Sequence, residues 1–194
     1  AMTDLKKRLT KIEKTWEKQN FDEAVKLADL TVDDFVTHST DDNSTLKDYI
    51  GMFQAIYNYS KNHQRAAQFI IIGYPHLKQG VLEETISSGT LYGAMRELTE
   101  HIHAMGKDHP KSEESIAFFD KEFKLLMSSV YQFEDINDCI ADACFAGDNG
   151  YLEKALHIID VGLKKADKGK GQEVLIQIRS EIKKIMKSPG PTVH

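Results

Sequence analysis

The chain has few of the residues that mark specialised protein classes: 2 Cys, 4 Pro and 12 Gly among 194 residues. This scarcity excludes a disulfide scaffold and a collagen-like chain. Hydrophobic residues make up 41% of the sequence and charged residues 28%, which is enough apolar material for a sizeable core. The composition therefore predicts a single helical domain over residues 1–188, followed by a disordered tail at 189–194 that begins Pro-Gly-Pro.

Long apolar runs are also missing. The longest reaches four residues, as at Phe69–Ile72, whereas a membrane-spanning helix needs about 18. The residues after Met2 lack the apolar centre of a secretory signal. Cys139 and Cys144 would lie about 140° apart around a helix, so they are badly placed to pair. We expect a cytoplasmic chain with no membrane contact and with two free thiols.

Sequence signatures of catalysis and of cofactor binding are absent. There is no Gly-x-Ser-x-Gly elbow, no Gly-Lys-Ser/Thr phosphate loop, no dinucleotide fingerprint and no His-Glu-x-x-His. Glu100 and His103 form a Glu-x-x-His pair, which is half of a di-iron signature. The helical pattern turns both side chains toward solvent, and the sequence contains no second pair of this kind. We therefore predict no catalytic residue, no cofactor and no metal site.

The charges are distributed unevenly along the chain. Residues 1–20 carry six Lys or Arg against three Asp or Glu, residues 164–194 carry eight against three, and the segment between them carries eleven against twenty-four. The ends are therefore basic and the body is acidic. Basic terminal helices beside an acidic body account for this pattern as solvated helix faces. A basic patch for an acidic partner or for nucleic acid is the alternative.

Helical spacing dominates the start of the sequence. Apolar residues three and four apart over 5–16 and again over 21–35 predict two amphipathic helices joined by a tight turn. Residues 41–44 are predicted to form a loop. Thr45 is followed three residues later by Asp48, a capping-box pattern that predicts the start of the next helix.

The middle of the sequence is less uniform. The apolar run Ala66–Ile72 is compatible with a buried helix or with a short strand. Gly73–Pro75 is expected to end either element, because a residue before proline avoids helical geometry. The segment 91–105 then alternates apolar spacings of four and three, which predicts a helix with Gly106 as its C-terminal cap.

The second half of the sequence predicts further helices. Ser112 is expected to cap a long apolar helix that forms the centre of the core. Three more helices are expected around 136–143, 151–166 and 174–185, with Pro189 ending the last one. The stripe of the long helix is Ile116, Phe119, Phe123, Leu126, Val130 and Phe133, and that of the last helix is Val174, Ile178, Ile182 and Ile185. Short loops make sequential helices antiparallel neighbours. The predicted fold is all-α, with about eight or nine helices in antiparallel hairpins, arranged as a bundle or a short repeat array.

Two segments resemble tetratricopeptide repeats. Gly150-Tyr151-Leu152-Glu153-Lys154-Ala155-Leu156, with Ile159, Gly162 and Leu163, resembles the turn and second helix of that unit; Asn20-Phe21-Asp22-Glu23-Ala24-Val25, with Ala28, Thr31 and Val32, resembles it again. The likeness extends over 5–36 and 135–186. A small residue, Ala24 or Ala155, lets the two helices approach closely. The resemblance implies a protein-binding scaffold whose concave face takes a peptide or a partner helix.

A third segment resembles a DNA reader. Residues 86–98, Ile-Ser-Ser-Gly-Thr-Leu-Tyr-Gly-Ala-Met-Arg-Glu-Leu, resemble the turn and recognition helix of PadR-type transcription regulators, and Gly73-Tyr74 lies where that family has a Gly-Tyr pair. The resemblance over 73–98 implies a helix beginning near Thr90 that lies in the major groove. The segment 89–105 has a single cation, Arg96, beside two glutamates, so binding to phosphates is disfavoured.

The sequence leaves three functions open. The first is a non-catalytic module that binds a peptide or partner helix of another protein, with Tyr151, Arg179 and Lys183 as candidate contacts. The second is a DNA-binding regulator with a helix-turn-helix near 73–105. The third is an enzyme whose site is assembled from distant residues, with His38, Tyr74 and His76 as candidates. A homodimer through the regular apolar stripes is an open alternative to their burial within one chain.

Overall fold

A computed structural model of the chain describes residues 2–39 and 45–188. Within these residues the chain forms nine α-helices and a 3₁₀ turn at Leu46–Tyr49, and no strand. The all-α prediction is therefore confirmed. The loop predicted at 41–44, the tail predicted at 189–194 and the stop at Pro189 lie outside the described residues. The helices are α1 (Met2–Glu17), α2 (Phe21–Ser39), α3 (Ile50–Tyr59), α4 (His63–Leu82), α5 (Gly89–Met105), α6 (Ser112–Met127), α7 (Ile136–Asp148), α8 (Leu152–Lys165) and α9 (Lys170–Lys187).

The described residues group into two compact units. Unit 1 consists of residues 2–39, 45–79 and 97–118, and unit 2 of residues 80–96 and 119–188. Each of α4, α5 and α6 contributes one segment to each unit. The interpretation of residues 1–188 as a single domain stays a prediction.

The first two helices of unit 1 form an antiparallel hairpin. Arg8 near the start of α1 is paired with Asp34 near the end of α2, and Trp16 at the end of α1 packs on Phe21 at the start of α2, with ring centroids 4.7 Å apart. Gln19 in the connecting turn has a left-handed φ of 64°, which lets the chain reverse within three residues. The predicted pair of helices with a tight turn is confirmed.

Successive hairpins place the helices of unit 1 in two rows. Contacts between Trp16 and Tyr59 and between Gln54 and Glu97 put α1, α3 and the end of α5 side by side. In the same way, α2 contacts α4 through Asp33 and Arg65, and α4 contacts α6 through Tyr74 and Phe118. Short connections between antiparallel neighbours produce this alternation.

An aromatic cluster forms the core of unit 1. Phe35 of α2, Phe53 and Tyr57 of α3, and Phe69 of α4 are fully buried. Phe53 stacks on Phe69 with ring centroids 4.9 Å apart and contacts Phe35 at 4.7 Å. Burying each phenyl ring contributes about 1.5–3 kcal/mol. This cluster fixes the spacing between the two rows of helices.

Unit 2 contains the three-helix arrangement of α7, α8 and α9. Cys139 of α7 lies against Gly162 and Ile158 near the end of α8, and Gly147 lies against Ala155 near its start, so these helices are antiparallel. A Cβ atom on Gly162 would stand 2.6 Å from Cys139 Sγ and 3.0 Å from Leu175 Cδ1 of α9. Glycine therefore lets the three helices approach closely at this point.

The structure corrects the prediction that Gly73–Pro75 ends an element. Residues 66–72 are helical, and α4 continues through Pro75 to Leu82. Pro75 removes one backbone hydrogen bond, at a cost of about 3 kcal/mol, and burial of Phe69, Ile70 and Tyr74 offsets this loss. Gly73 lies where an added Cβ would be 3.0 Å from Ile50 of α3, so it serves close helix packing within α4.

Three further sequence expectations are wrong. Thr45 makes no side-chain cap, and the chain enters α3 through a 3₁₀ turn. The Ser112 hydroxyl donates to the Gly106 carbonyl oxygen at 2.6 Å, so it ties the start of α6 to the preceding turn. The long apolar helix ends at Met127, and Val130 in its predicted stripe is 81% exposed. Apolar heptad spacing alone does not show where a helix ends, because in this sequence the spacing continues past Met127 to Val130 and Phe133.

The last helix buries only part of its predicted stripe. Leu175 and Ile182 are the buried residues of α9, whereas Val174 is exposed and Ile185 is 54% exposed. Ile182 is therefore predicted correctly, whereas Leu175, which lies close to Gly162, takes the buried position expected for Val174. The predicted cap Gly106 is confirmed by its left-handed φ of 83°. No helix in the described part of the chain combines the length and the apolar character needed to cross a membrane.

Candidate functional site

A pocket of about 290 Å³ lies in unit 1 between α2, α4 and the start of α6. Its apolar lining comes from Val36 of α2 and from Ile71 and Ile72 of α4. The volume is at the small end of the range of about 300–1,000 Å³ that is typical of ligand sites. The pocket therefore has room for a small molecule or for one or two residues of a peptide.

The polar lining of the pocket follows helical spacing. Gln64, Arg65 and Gln68 of α4 are one to four residues apart, so they point to the same side of the helix as Ile71 and Ile72. Lys111, Glu114 and Ser115 are three and four apart at the start of α6, and Ser39 ends α2. Each helix thus contributes one narrow strip of side chains.

Arg65 is held in place at the pocket by two partners. Its Nη2 donates to Asp33 Oδ1 of α2 at 2.7 Å, and its Nη1 donates to Gln68 Oε1 at 2.9 Å. A guanidinium carries five N–H donors in a rigid fork, so these two bonds leave donors for a ligand. Asp33 is largely exposed, and an exposed ion pair contributes only about 0–1 kcal/mol. A ligand carboxylate can therefore compete for this guanidinium.

The lining combines charged, amide and apolar side chains. The lining contains two cations, Arg65 and Lys111, and one carboxylate, Glu114, together with the apolar side chains named above. Glutamine amides both donate and accept hydrogen bonds, as a peptide backbone requires. Among residues 2–39 and 45–188, no three His, Cys, Asp or Glu side chains are placed to hold a metal ion.

Unit 2 contains a buried charged network centred on Asp142 of α7. Asp142 pairs with Arg96 of α5 and accepts a hydrogen bond from the Tyr131 hydroxyl at 2.8 Å. Burial raises the pKa of Asp142, and the contacts from Tyr131 and Arg96 only partly oppose this. Burial also raises the pKa of Tyr131 and brings the pKa of Cys139 to about 11. The thiol is therefore unreactive, and the network joins α5 to α7 as a structural link.

The three contact residues predicted from the sequence all lie in unit 2. Tyr151 precedes α8 and is half-buried, with its ring against Phe123 at a centroid distance of 5.4 Å. Arg179 of α9 pairs with Asp160 of α8 at 3.5 Å. Lys183 is exposed one turn later. None of the three lines the pocket, and their role in partner binding stays a prediction.

The histidines considered for an enzyme occupy different environments. Tyr74 is buried in α4, whereas His76 is exposed two residues later, on another side of the same helix. His38 Nδ1 lies 2.8 Å from the Asp34 carbonyl oxygen on α2. Glu100 and His103 are exposed on α5, as the sequence predicts.

The segment that resembles a DNA reader begins its helix where the sequence predicts, since α5 starts at Gly89. The residues near the start of this helix are mostly buried, and Arg96 is paired with Asp142. The buried ones are Leu91, Tyr92, Met95 and Leu98. DNA binding by this segment stays a prediction.

Sequence reasoning missed both the pocket and the burial of one histidine. Arg65, Gln68 and Lys111 belong to no motif, and α4 and α6 are separated along the chain by all of α5. His101 is 8% exposed, although the spacing had assigned Leu98, Ile102 and Met105 to the inner face. His101 follows Leu98 by three residues, so it shares a side of the helix with a residue that the spacing assigned to the inner face.

Comparisons with known proteins add no assignment: no protein-family model, no curated protein and no solved structure matches the chain.

Proposed function

We propose that the chain is a protein-interaction module that binds a short acidic and aliphatic peptide segment in the unit 1 pocket. The observation that carries this proposal is that Arg65 and Lys111 line the same pocket as the apolar side chains of Val36, Ile71 and Ile72. A ligand that matches these groups has a carboxylate next to a branched or linear aliphatic side chain. Asp or Glu beside Leu, Ile or Val fits this description.

The charge of the lining favours an anionic ligand. Arg65 and Lys111 outnumber Glu114 at the pocket. Arg65 is pre-positioned by its bonds to Asp33 and Gln68, so less side-chain entropy is lost when a carboxylate binds. The carboxylate then forms charge-assisted hydrogen bonds with the guanidinium.

The amides on α4 favour a peptide over a free organic acid. Gln64 and Gln68 lie one turn apart on the same side of the helix, a spacing at which their side chains can pair with successive groups of an extended backbone. The helical hairpins support the same function class. Ala24 and Ala155 are fully buried where the tetratricopeptide resemblance places its small residues, and scaffolds of stacked hairpins commonly bind peptides.

The test is selection of random heptapeptides displayed on phage against the full-length protein, followed by fluorescence anisotropy with the synthetic winner. We expect enriched sequences to place Asp or Glu beside Leu, Ile or Val. Arg65→Gln and Lys111→Gln should each weaken binding by about tenfold, because each removes a hydrogen-bonding charge. Ile72→Ser should also weaken binding, because it removes an apolar side chain from the lining of the pocket.

Two matched controls locate the site. Arg179→Gln and Lys183→Gln remove the same charges from the surface of unit 2, and we expect them to leave the affinity unchanged. Circular dichroism of each variant verifies that it is folded. Enriched peptides without an acidic residue, or an affinity insensitive to Arg65→Gln and Lys111→Gln, would contradict the proposal. Loss of binding in the Arg179 or Lys183 variants alone would assign recognition to unit 2 instead.

A further inference from the structure

Two histidines of unit 1 are in direct contact beside the pocket. His63 is the first residue of α4 and His101 lies in the last turns of α5. Their Nδ1 atoms are 2.9 Å apart and their ring centroids are 5.2 Å apart. His63 immediately precedes Gln64 and Arg65, which line the pocket.

The distance between the two Nδ1 atoms limits how many protons the pair can hold. One ring must donate its Nδ1–H, and the other must accept with the Nδ1 lone pair. The bond persists when the donating ring becomes an imidazolium, because that ring still offers Nδ1–H to a neutral partner. Once both rings are protonated, two N–H groups and two positive charges face each other and the bond is lost.

The surroundings of the pair oppose the doubly protonated form. Burial and the charge of His63 lower the pKa of His101, and Glu100 on the same helix only partly opposes this. Among the nearby charged groups, Glu97 of α5 accepts a hydrogen bond from the neutral amide of Gln54 of α3 at 2.7 Å and keeps its charge, and Arg65 is paired with Asp33 of α2.

We propose that the His63–His101 contact is a pH-sensitive latch, which at neutral pH holds the start of α4 against α5 and on acidification releases it and lowers the affinity of the pocket. This inference rests on the proposed function for its consequence, because Gln64, Arg65 and Gln68 follow His63 on the same helix. Displacement of the start of α4 shifts these side chains relative to Lys111, the residue that precedes α6. The latch itself depends only on the histidine pair.

The first measurement tests the latch without any ligand. Backbone amide spectra of the labelled full-length protein are compared at about pH 7.5 and about pH 5.0, with both histidine rings followed in the same titration. We expect the amides of residues 64–68 to shift in the wild type. In His63→Gln/His101→Gln they should not shift, because the amide pair stays neutral. His103→Gln is the matched control, since it removes an exposed histidine from the same helix and should behave as the wild type. Equal shifts at 64–68 in the double variant would overturn the inference.

The second measurement tests the coupling to binding, with the selected heptapeptide as the probe. We expect the affinity to fall by about threefold or more between about pH 7.5 and about pH 5.0, and by no more than about tenfold per pH unit, the limit for one linked proton. The double variant should bind with nearly constant affinity over this range, and His103→Gln should follow the wild type. If the wild type binds no peptide at neutral pH, the proposed function is wrong, and the amide spectra alone decide whether the latch exists. Binding with the same pH dependence in the double variant overturns the coupling.

Discussion

Replacing Arg96 by Met is the most direct test of the buried network in unit 2. The substitution keeps an unbranched side chain but leaves the carboxylate of Asp142, whose side chain is 2% exposed, without its cationic partner. Removing one partner of a buried ion pair costs about 3–5 kcal/mol. The Arg96 side chain is 30% exposed, so water already screens part of the attraction. We therefore expect a loss of about 3 kcal/mol in the free energy of unfolding at neutral pH.

The loss caused by Arg96→Met should depend on pH in a defined direction. Burial already raises the pKa of Asp142, and removing the guanidinium raises it further. The folded state then binds the proton more tightly than the unfolded state, so the site is most stable at low pH and loses stability as the pH rises through the folded pKa. The deficit relative to the wild type should shrink on acidification, by up to about 1.4 kcal/mol per pH unit for one proton.

Urea unfolding followed by far-UV circular dichroism measures both effects, at about pH 7.5 and about pH 5.5. Arg96→Met/Asp142→Asn removes the stranded charge and leaves an amide that accepts from Tyr131, so most of the lost stability should return. Arg179→Met breaks the more exposed pair with Asp160, which lies in the same unit, and should cost only about 0–1 kcal/mol. A deficit that is independent of pH, or no recovery in the double variant, would refute the reasoning.

Two further substitutions test the packing of each unit. Gly162→Ala should lower the free energy of unfolding in urea by about 1–2 kcal/mol, because overpacking against Cys139 Sγ at 2.6 Å outweighs the helix preference of alanine. Adding Cys139→Ala to the same chain should recover part of this loss. A Gly162→Ala variant as stable as the wild type would contradict this prediction. Phe53→Ala should cost about 3–5 kcal/mol, measured by the fluorescence of Trp16, the single tryptophan, which lies in the same unit. Leu30→Ala removes an exposed side chain of unit 1 and should change little; equal effects of these two variants would contradict the assignment of the core.

The candidate site was beyond the reach of the sequence. The pocket brings together the end of α2, the start of α4 and the start of α6, and the spacing of Val36, Arg65 and Lys111 along the chain corresponds to no local motif. Tyr151, Arg179 and Lys183 could be named because they follow recognisable hairpin patterns, yet they lie in unit 2. Binding at either place stays a prediction until the peptide selection is done.

The latch illustrates the same limit at the scale of one helix. Four-and-three spacing assigned Leu98, Ile102 and Met105 to the inner face of α5 and made no prediction for His101. In the structure His101 is buried because His63 of α4 supplies a polar partner for it. Periodicity records which residues are apolar and cannot record that a polar residue finds a buried partner in another helix.

Local signals in the sequence were enough to predict most helices and the points where many of them begin. A 3.6-residue period, glycine at 106 and polar turns such as Asn20 are local signals, and local hydrogen bonding within a helix depends on a few adjacent residues. Three features could not be predicted in this way: α4 passes through Pro75, α6 stops at Met127 and α9 buries Leu175. Each of these outcomes depends on contacts between distant segments, whose packing free energy exceeds the local preference.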